Sequence, residues 1–168
     1  MKILNIHGYK GNAENSAYFA LKELGHDVIS PQLDYDAESP ENILRSLSAV
    51  LSDSKPDVIV GTSLGGFFAL LLSIESGLPS VLVNPCLMPF VTLTQLGYSR
   101  DISGFIRLFG RFSELGKSSV FAVIGGRDEV ISYHDFTKRL ISEHTVIPNG
   151  KHSGATLPLK EIFGELIK

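Results

Sequence analysis

Residues 58–66 read Val-Ile-Val-Gly-Thr-Ser-Leu-Gly-Gly. The β-branched start of this stretch predicts a buried strand, and the apolar run at 64–76 predicts a helix. Between them, the residues from Gly61 to Gly65 match the pattern G-x-S-x-G, in which a serine stands on a sharp strand-to-helix turn. The glycines on both sides of Ser63 would let strand and helix approach closely, so the stretch predicts a nucleophile elbow.

Such an elbow would project the Ser63 hydroxyl from the carboxyl edge of a sheet. The N–H of Leu64, at the start of the helix, would then point to where an oxyanion forms. The alternative is a glycine-rich turn that only packs or binds an anion. A phosphate-binding P-loop would need a Lys-Ser/Thr pair after Gly66, and the chain has none there. The dinucleotide fingerprint is also absent after the first predicted strand.

Short β-branched runs alternate with longer segments of helical spacing along the whole chain. This pattern is typical of βα units, which build a parallel sheet with helices on both faces. The predicted strands are Ile3–Ile6, Asp27–Ser30, Val58–Gly61, Ser80–Val83, Val120–Ile124 and Thr145–Ile147. The predicted helices are Ala17–Leu24, Glu41–Leu51, Leu64–Ser76, Ser132–Ser142 and Leu159–Ile167. Right-handed crossovers would join them into a single doubly wound, mostly parallel α/β sheet.

The length of 168 residues, with 43% hydrophobic and 20% charged residues, is that of one globular domain. We therefore expect a single domain over residues 1–168. A formal net charge of −3 without a Lys/Arg cluster argues against nucleic-acid binding. Cys86 is the only cysteine, the N-terminal apolar run is too short for a signal peptide, and no segment is long enough to span a bilayer. We expect a cytoplasmic protein.

A serine nucleophile needs a base and a group that orients the base, and both candidates follow late strands. Asp128 lies in a turn after the strand at 120–124, and His152 follows the strand at 145–147. Ser63, Asp128 and His152 thus occur in the chain order of α/β-hydrolases, each just after a predicted strand. This order predicts a catalytic triad at the carboxyl edge of the sheet.

Other residues compete for the roles of acid and base. Glu129 or Asp135 could replace Asp128, which could itself be a surface turn residue. His152 could be an exposed loop histidine. The other histidines fit less well, because they lie before a strand, within a helix or at a strand entrance; they are His26, His134 and His144.

The first predicted strand runs into His7-Gly8-Tyr9-Lys10-Gly11. A backbone N–H from this loop commonly completes an oxyanion hole, and we expect Tyr9 to supply it beside Leu64. His7 is expected to support the loop rather than to carry protons. No metal-ligand spacing such as H-E-x-x-H is present, so neither a metal nor another cofactor is predicted.

The connection between Val83 and Val120 is too long and too apolar for one crossover helix. One interpretation is a small lid at 86–118, with Phe105, Phe109 and Phe112 lining an acyl pocket. The other is two ordinary packing helices joined by a loop. The sequence does not decide between them.

Taken together, these residues resemble the small bacterial esterases of the YqiA type, the UPF0227 group of the α/β-hydrolase superfamily. The matching stretches are His7-Gly8, Pro31-Gln32-Leu33, Gly61 to Gly66, Val83-Asn84-Pro85 with Pro89-Phe90, Asp128-Glu129-Val130 with Tyr133, and His152. The resemblance implies an α/β-hydrolase fold, an esterase activity on acyl esters or thioesters without a cofactor, and triad roles for Ser63, Asp128 and His152. The stretch from Leu96 to Ser118 has no match, so a substrate preference does not carry over.

The sequence thus predicts a serine carboxylesterase or thioesterase that acts on a small-molecule substrate through an acyl-enzyme. Two alternatives remain at this point. Since one fold hosts many functions, the chain could be a small-molecule receptor or an interaction module without turnover. It could also transfer the acyl group to an acceptor other than water.

Overall fold

A computed structural model describes residues 1–116 and 119–168, and within these ranges six strands form one fully parallel sheet. The strands are β1 (Lys2–Ile6), β2 (Asp27–Ile29), β3 (Val58–Thr62), β4 (Ser80–Val83), β5 (Val120–Gly125) and β6 (Glu143–Ile147). Their order across the sheet is β2-β1-β3-β4-β5-β6. β3 and β4, with Thr62 opposite Val83, therefore lie in the middle, and all strands end at one carboxyl edge.

Seven α-helices connect the strands within the described ranges. They are α1 (Ser16–Glu23), α2 (Pro40–Ser54), α3 (Leu64–Ser76), α4 (Pro89–Thr92), α5 (Ser103–Phe109), α6 (His134–Leu140) and α7 (Leu159–Leu166). Short 3₁₀ turns follow α5 at Gly110–Glu114 and precede α7 at Gly154–Thr156. None of the helices in the described residues is long and apolar enough to cross a membrane.

The strands bury both faces, because alternate side chains point to opposite sides of the sheet. Ile3, Val58 and Val60 face α1 and α7, in a cluster centred on Leu21 and Phe163. Their neighbours along the strands face α2, α3, α5 and α6 in the larger cluster; they are Leu4, Ile6 and Ile59. Helices therefore cover both faces, which confirms the doubly wound arrangement.

The predicted strands and helices all exist, and the differences are confined to their ends. One of them concerns the helix predicted at 132–142, which spans only His134–Leu140. The Asp128 carboxylate accepts the N–H groups of Val130 and Ile131 at 2.9 Å each, and this Asx-type turn delays the helix. At the other end Ile141 is already extended, so β6 begins at Glu143.

The segment 86–116 consists of α4, α5 and the 3₁₀ turn at Gly110–Glu114. Phe105 and Phe112 are buried, and both rings lie against the ring of Phe67 on α3. Phe109 packs between Phe90, Phe112 and Phe136. The three rings therefore pack among α3, α4 and α6, and the last two positions of the expected lid, 117 and 118, lie outside the described residues.

Candidate active site

Ser63 stands at the junction of β3 and α3 in a conformation that few residues adopt. Its backbone has φ +53° and ψ −120°, a region that costs a non-glycine residue free energy. Three hydrogen bonds hold the junction: the Ser63 N–H donates to Val83 O at 2.9 Å, and the Ser63 carbonyl accepts from Gly66 and Cys86 at 2.9 Å each. The strain is therefore fixed by the surrounding backbone.

Glycines make the close packing of this turn possible. A Cβ on Gly61 would collide with the carbonyl oxygen of Gly65, and a Cβ on Gly65 with that of Ile6. A Cβ on Gly8 would lie 2.9 Å from the Cβ of Ser63. The loop after β1 thus passes directly beside the serine, and a side chain at any of these positions would push them apart.

Ser63, His152 and Asp128 form one continuous hydrogen-bonded chain. Ser63 Oγ lies 3.0 Å from His152 Nε2, and His152 Nδ1 lies 2.9 Å from Asp128 Oδ2 and 3.0 Å from Oδ1. Asp128 follows β5 and His152 follows β6, so both come from the carboxyl edge of the sheet, where Ser63 follows β3. The structure brings the three sequence-predicted residues together.

The Asp128 carboxylate is buried, with 1% of its side chain exposed. Burial alone would raise its pKa, but hydrogen bonds from His134, His152 and two backbone N–H groups more than offset this, so the pKa of Asp128 lies well below its usual range. The group is therefore an acceptor only. It takes the Nδ1–H of His152, which leaves Nε2 as the acceptor for the Ser63 hydroxyl.

Of the two residues expected to supply oxyanion donors, Leu64 directly follows Ser63 and Tyr9 lines the same cavity as Ser63. Leu64 is the first residue of α3, where a backbone N–H has no acceptor within the helix. Tyr9 lies in the loop after β1, and its hydroxyl donates to Asp36 Oδ1 at 2.9 Å, which ties the loop down. A preorganised pair of N–H groups beside the nucleophile is what a tetrahedral oxyanion requires.

His7 serves this loop through both ring nitrogens. Nδ1 donates to Gly8 O at 2.8 Å, and Nε2 accepts the N–H of Leu33 at 2.9 Å. Burial lowers the pKa of His7, against a smaller opposing effect of the bond to Gly8. A neutral ring with both nitrogens engaged supports the loop that carries Tyr9, as the sequence analysis expects.

A surface cavity of about 370 Å³ opens beside Ser63 and His152. Its walls are the loop after β1, the first turns of α1 and residues 152–154, and Phe19 is the bulkiest apolar group in it. Phe105, Phe109 and Phe112 do not line this cavity. Phe105 and Phe112 instead pack against Phe67 of α3, and Phe109 packs against Phe90, Phe112 and Phe136, so their role in an acyl pocket stays a prediction.

The competing acids and bases have other partners. Glu129 Oε2 accepts the backbone N–H of His152 at 3.1 Å, and Asp135 pairs with Lys138. His144 bonds to the Ile141 carbonyl through Nδ1, and His26 lies 3.4 Å from the N-terminal amine. Among the residues that the structure describes, no group of three or more His, Cys, Asp or Glu side chains could hold a metal ion.

Asn84 is a site residue to which the sequence analysis assigned no role. Its side chain is fully buried and sits at the end of β4 with φ +43°. The amide donates to the carbonyls of Lys151 and His152 at 2.8 and 3.0 Å and accepts the N–H of Gly125 at 2.6 Å. One side chain thus ties β4 and β5 to the loop that carries His152. The stretch Val83-Asn84-Pro85 is the only signal for it in the sequence.

A second residue, His134, contacts the same Asp128 carboxylate as His152. Its Nε2 lies 2.8 Å from Asp128 Oδ2, at the start of α6. Nothing in the spacing of Asp128 and His134 indicates this contact, since the intervening turn has no regular period.

Comparison with known proteins places the chain in a family and a fold. Residues 2–100 match the family described as Uncharacterised protein family (UPF0227). A carboxylesterase of the ammonia-oxidising thaumarchaeon Nitrososphaera gargenis is similar in structure, with a TM-score of 0.69 and 19% identity, over 99% of this chain and 88% of that one. The Pyrococcus furiosus esterase gives 0.66 and 16%, over 99% and 80%. The alpha/beta hydrolase domain-containing protein 10 from mouse gives 0.68 and 18%, over 98% and 89%.

Proposed function

The chain belongs to the UPF0227 family and has the α/β-hydrolase fold, and from this we propose that it is a serine hydrolase that cleaves carboxylic esters or acyl thioesters through an acyl-enzyme. The observation that supports this most is the unbroken hydrogen-bonded chain from Ser63 through His152 to a buried carboxylate. The solved esterases with the same fold agree with it but, at 16–19% identity, carry no residue roles.

In the first half of the reaction the Ser63 oxygen attacks the acyl carbon while His152 Nε2 takes the hydroxyl proton. The negative charge moves to the carbonyl oxygen, where the N–H groups of Leu64 and Tyr9 would stabilise it. His152, now an imidazolium held by Asp128, returns the proton to the leaving alcohol or thiol. The carbon–oxygen or carbon–sulfur bond breaks and leaves the acyl group on Ser63.

In the second half a water molecule takes the place of the leaving group. His152 removes one of its protons, the hydroxide oxygen attacks the acyl carbon, and the proton passes to Ser63 Oγ as the ester bond to the enzyme breaks. The acid is released and the serine is restored. The open cavity beside His152 gives water and leaving group a common route.

The substrate is a small molecule, since a cavity of about 370 Å³ takes a short acyl or alcohol group rather than a folded partner. Cys86 is a buried free thiol, which fits a reducing compartment, so a cytoplasmic location is part of the proposal.

A fluorophosphonate probe, together with a panel of p-nitrophenyl esters and acyl-CoA thioesters, tests the proposal. We expect one probe per chain on Ser63, turnover of at least one substrate class, and loss of both in Ser63→Ala. Ser76→Ala, at the other end of α3, is the matched control and should keep both. Unlabelled wild-type protein that binds esters without turnover would instead indicate a receptor, and ester products formed with added alcohol would indicate acyl transfer.

A further inference from the structure

Two histidines contact the Asp128 carboxylate, and the proposed mechanism uses only His152. Oδ1 accepts the N–H groups of Val130 and Ile131, and Oδ2 accepts His134 Nε2 at 2.8 Å. His152 Nδ1 lies almost equally far from both oxygens, at 3.0 and 2.9 Å. We propose that His134 is a positioning residue of the site, which fixes the Asp128 carboxylate and limits the negative charge that it presents to His152. This inference rests on the proposed function.

The orientation of an aspartate carboxylate is not set by its own torsion preferences, because rotation about the Cβ–Cγ bond has broad minima. Within the described residues, backbone N–H groups donate to Oδ1 of Asp128 and not to Oδ2. The Nε2–H of His134 holds Oδ2, so the plane of the carboxylate is pinned at both oxygens. His152 then receives a fixed acceptor, and its ring stays aligned with Ser63.

If the ring of His134 served only to fill space, burying its nitrogens would destabilise the fold. Its side chain is 10% exposed, and within residues 1–116 and 119–168 its Nδ1 is buried without a hydrogen-bond partner. An apolar side chain would fill this space without burying an unpartnered nitrogen, which costs free energy. The contact of Nε2 with Asp128 therefore accounts for a histidine at this position.

The contact also assigns the form of the ring. Asp128 Oδ2 can only accept, so His134 Nε2 carries hydrogen. A hydrogen on Nδ1 as well would be a buried donor without an acceptor, so the neutral Nε2–H tautomer fits the surroundings. A neutral donor draws charge from Oδ2 and leaves less of it to stabilise the His152 imidazolium.

Other titratable groups lie near Asp128 and His134 and also affect the charge of the Asp128 carboxylate. Asp135 and Lys138, which pair with each other, line the cavity behind His134 together with Asp128. Glu129 faces Asp128 and His152 from the preceding loop, and Cys86 faces Asp128 from the end of β4. None of them donates to Oδ2 in place of His134, so among the described residues His152 is the partner of that oxygen that remains once the imidazole is removed.

The test compares His134→Phe, which removes the donor, with His134→Gln, whose amide N–H reaches about as far as Nε2. His144→Gln is the matched control, because His144 is a partly buried histidine bonded to the Ile141 carbonyl. With an activated ester, we expect kcat of His134→Phe to fall about tenfold with KM within about twofold, far less than the ~10⁴ for loss of the acid itself. The acid limb of its kcat/KM profile should move up by roughly half a pH unit.

His134→Gln should recover most of both changes, and His144→Gln should match wild type. An unmoved acid limb in His134→Phe, or a glutamine variant no better than phenylalanine, overturns the proposal and leaves His134 a packing residue. Thermal unfolding of each variant separates these outcomes from loss of fold.

Side-chain ¹⁵N spectra of histidine make the test independent of turnover. In the wild type His134 should be the Nε2–H tautomer, and an Nδ1–H tautomer refutes the contact even if His134→Phe fails to fold. If the wild type neither hydrolyses esters nor reacts with the probe, the proposed function fails, while these spectra still decide the role of His134.

Discussion

Replacement of Asn84 by glycine should lower both the free energy of unfolding and kcat for ester hydrolysis, although Asn84 is not one of the reacting groups. The amide side chain joins the carbonyls of Lys151 and His152 to the N–H of Gly125, all at one buried point. Glycine removes these three hydrogen bonds while tolerating the φ of +43° at this position. The change therefore isolates the amide from backbone strain.

The expected loss in the free energy of unfolding follows from the number of buried groups that lose a hydrogen-bond partner. A buried polar group left unsatisfied costs about 1–3 kcal/mol, and three such groups are exposed to that penalty. Because water can enter the space and restore some of the bonds, we expect the free energy of unfolding to fall by about 3 kcal/mol. Urea unfolding measures this. Asn84→Ala should be less stable than Asn84→Gly, since alanine also strains a positive φ.

Activity should respond separately, through the position of His152. A displacement of about 1 Å at a reacting group can cost on the order of 10² in rate, so we expect kcat for ester hydrolysis to fall about a hundredfold at a temperature where Asn84→Gly remains folded. If folded Asn84→Gly keeps kcat within threefold of wild type, the amide stabilises the fold alone and the reasoning is wrong.

Three further outcomes follow from the same geometry. Asp128→Asn should lower kcat by up to ~10⁴, since the amide favours the wrong histidine tautomer, and Glu129→Gln by far less; the reverse order would make Glu129 the acid. Burial raises the pKa of Asp128, but the hydrogen bonds it accepts lower it further, below the unfolded value of about 3.9. Its stabilisation is therefore present above that value and is lost as pH falls, so between pH 5 and 3 urea unfolding should show a larger loss for wild type than for Asp128→Asn. Phe19→Ala should change the acyl chain-length profile in an ester panel. Phe105→Ala should keep the profile and lower the melting temperature. The opposite pattern would indicate that the acyl pocket lies in the segment 86–118.

The sheet and the arrangement of the triad were predictable because each depends on a local signal. Continuous β-branched runs mark strands buried on both faces, and the carboxyl ends of parallel strands meet at one edge. Once Ser63, Asp128 and His152 each follow such a strand, their proximity needs no further information. Asn84 and His134 have no comparable signal. Asn84 acts on carbonyls 67 and 68 residues further along the chain, and His134 meets Asp128 across an irregular turn.

The lining of the cavity beside Ser63 could not be predicted from the sequence for a different physical reason. Apolar residues in a long connection predict that it will be buried, but they do not say against what. The rings of Phe105 and Phe112 could pack on α3 because Phe67 offers an apolar surface one turn after Ser63. They thereby support the helix whose first N–H flanks the nucleophile, so substitutions there should act through the geometry of the elbow. We expect control over chain length in the cavity beside Ser63, where α1 presents Phe19 with 53% of its surface exposed. A substrate chain that lies along this open wall is limited by contacts with Phe19 rather than by the end of a tunnel, so the chain-length preference should be broad rather than sharp.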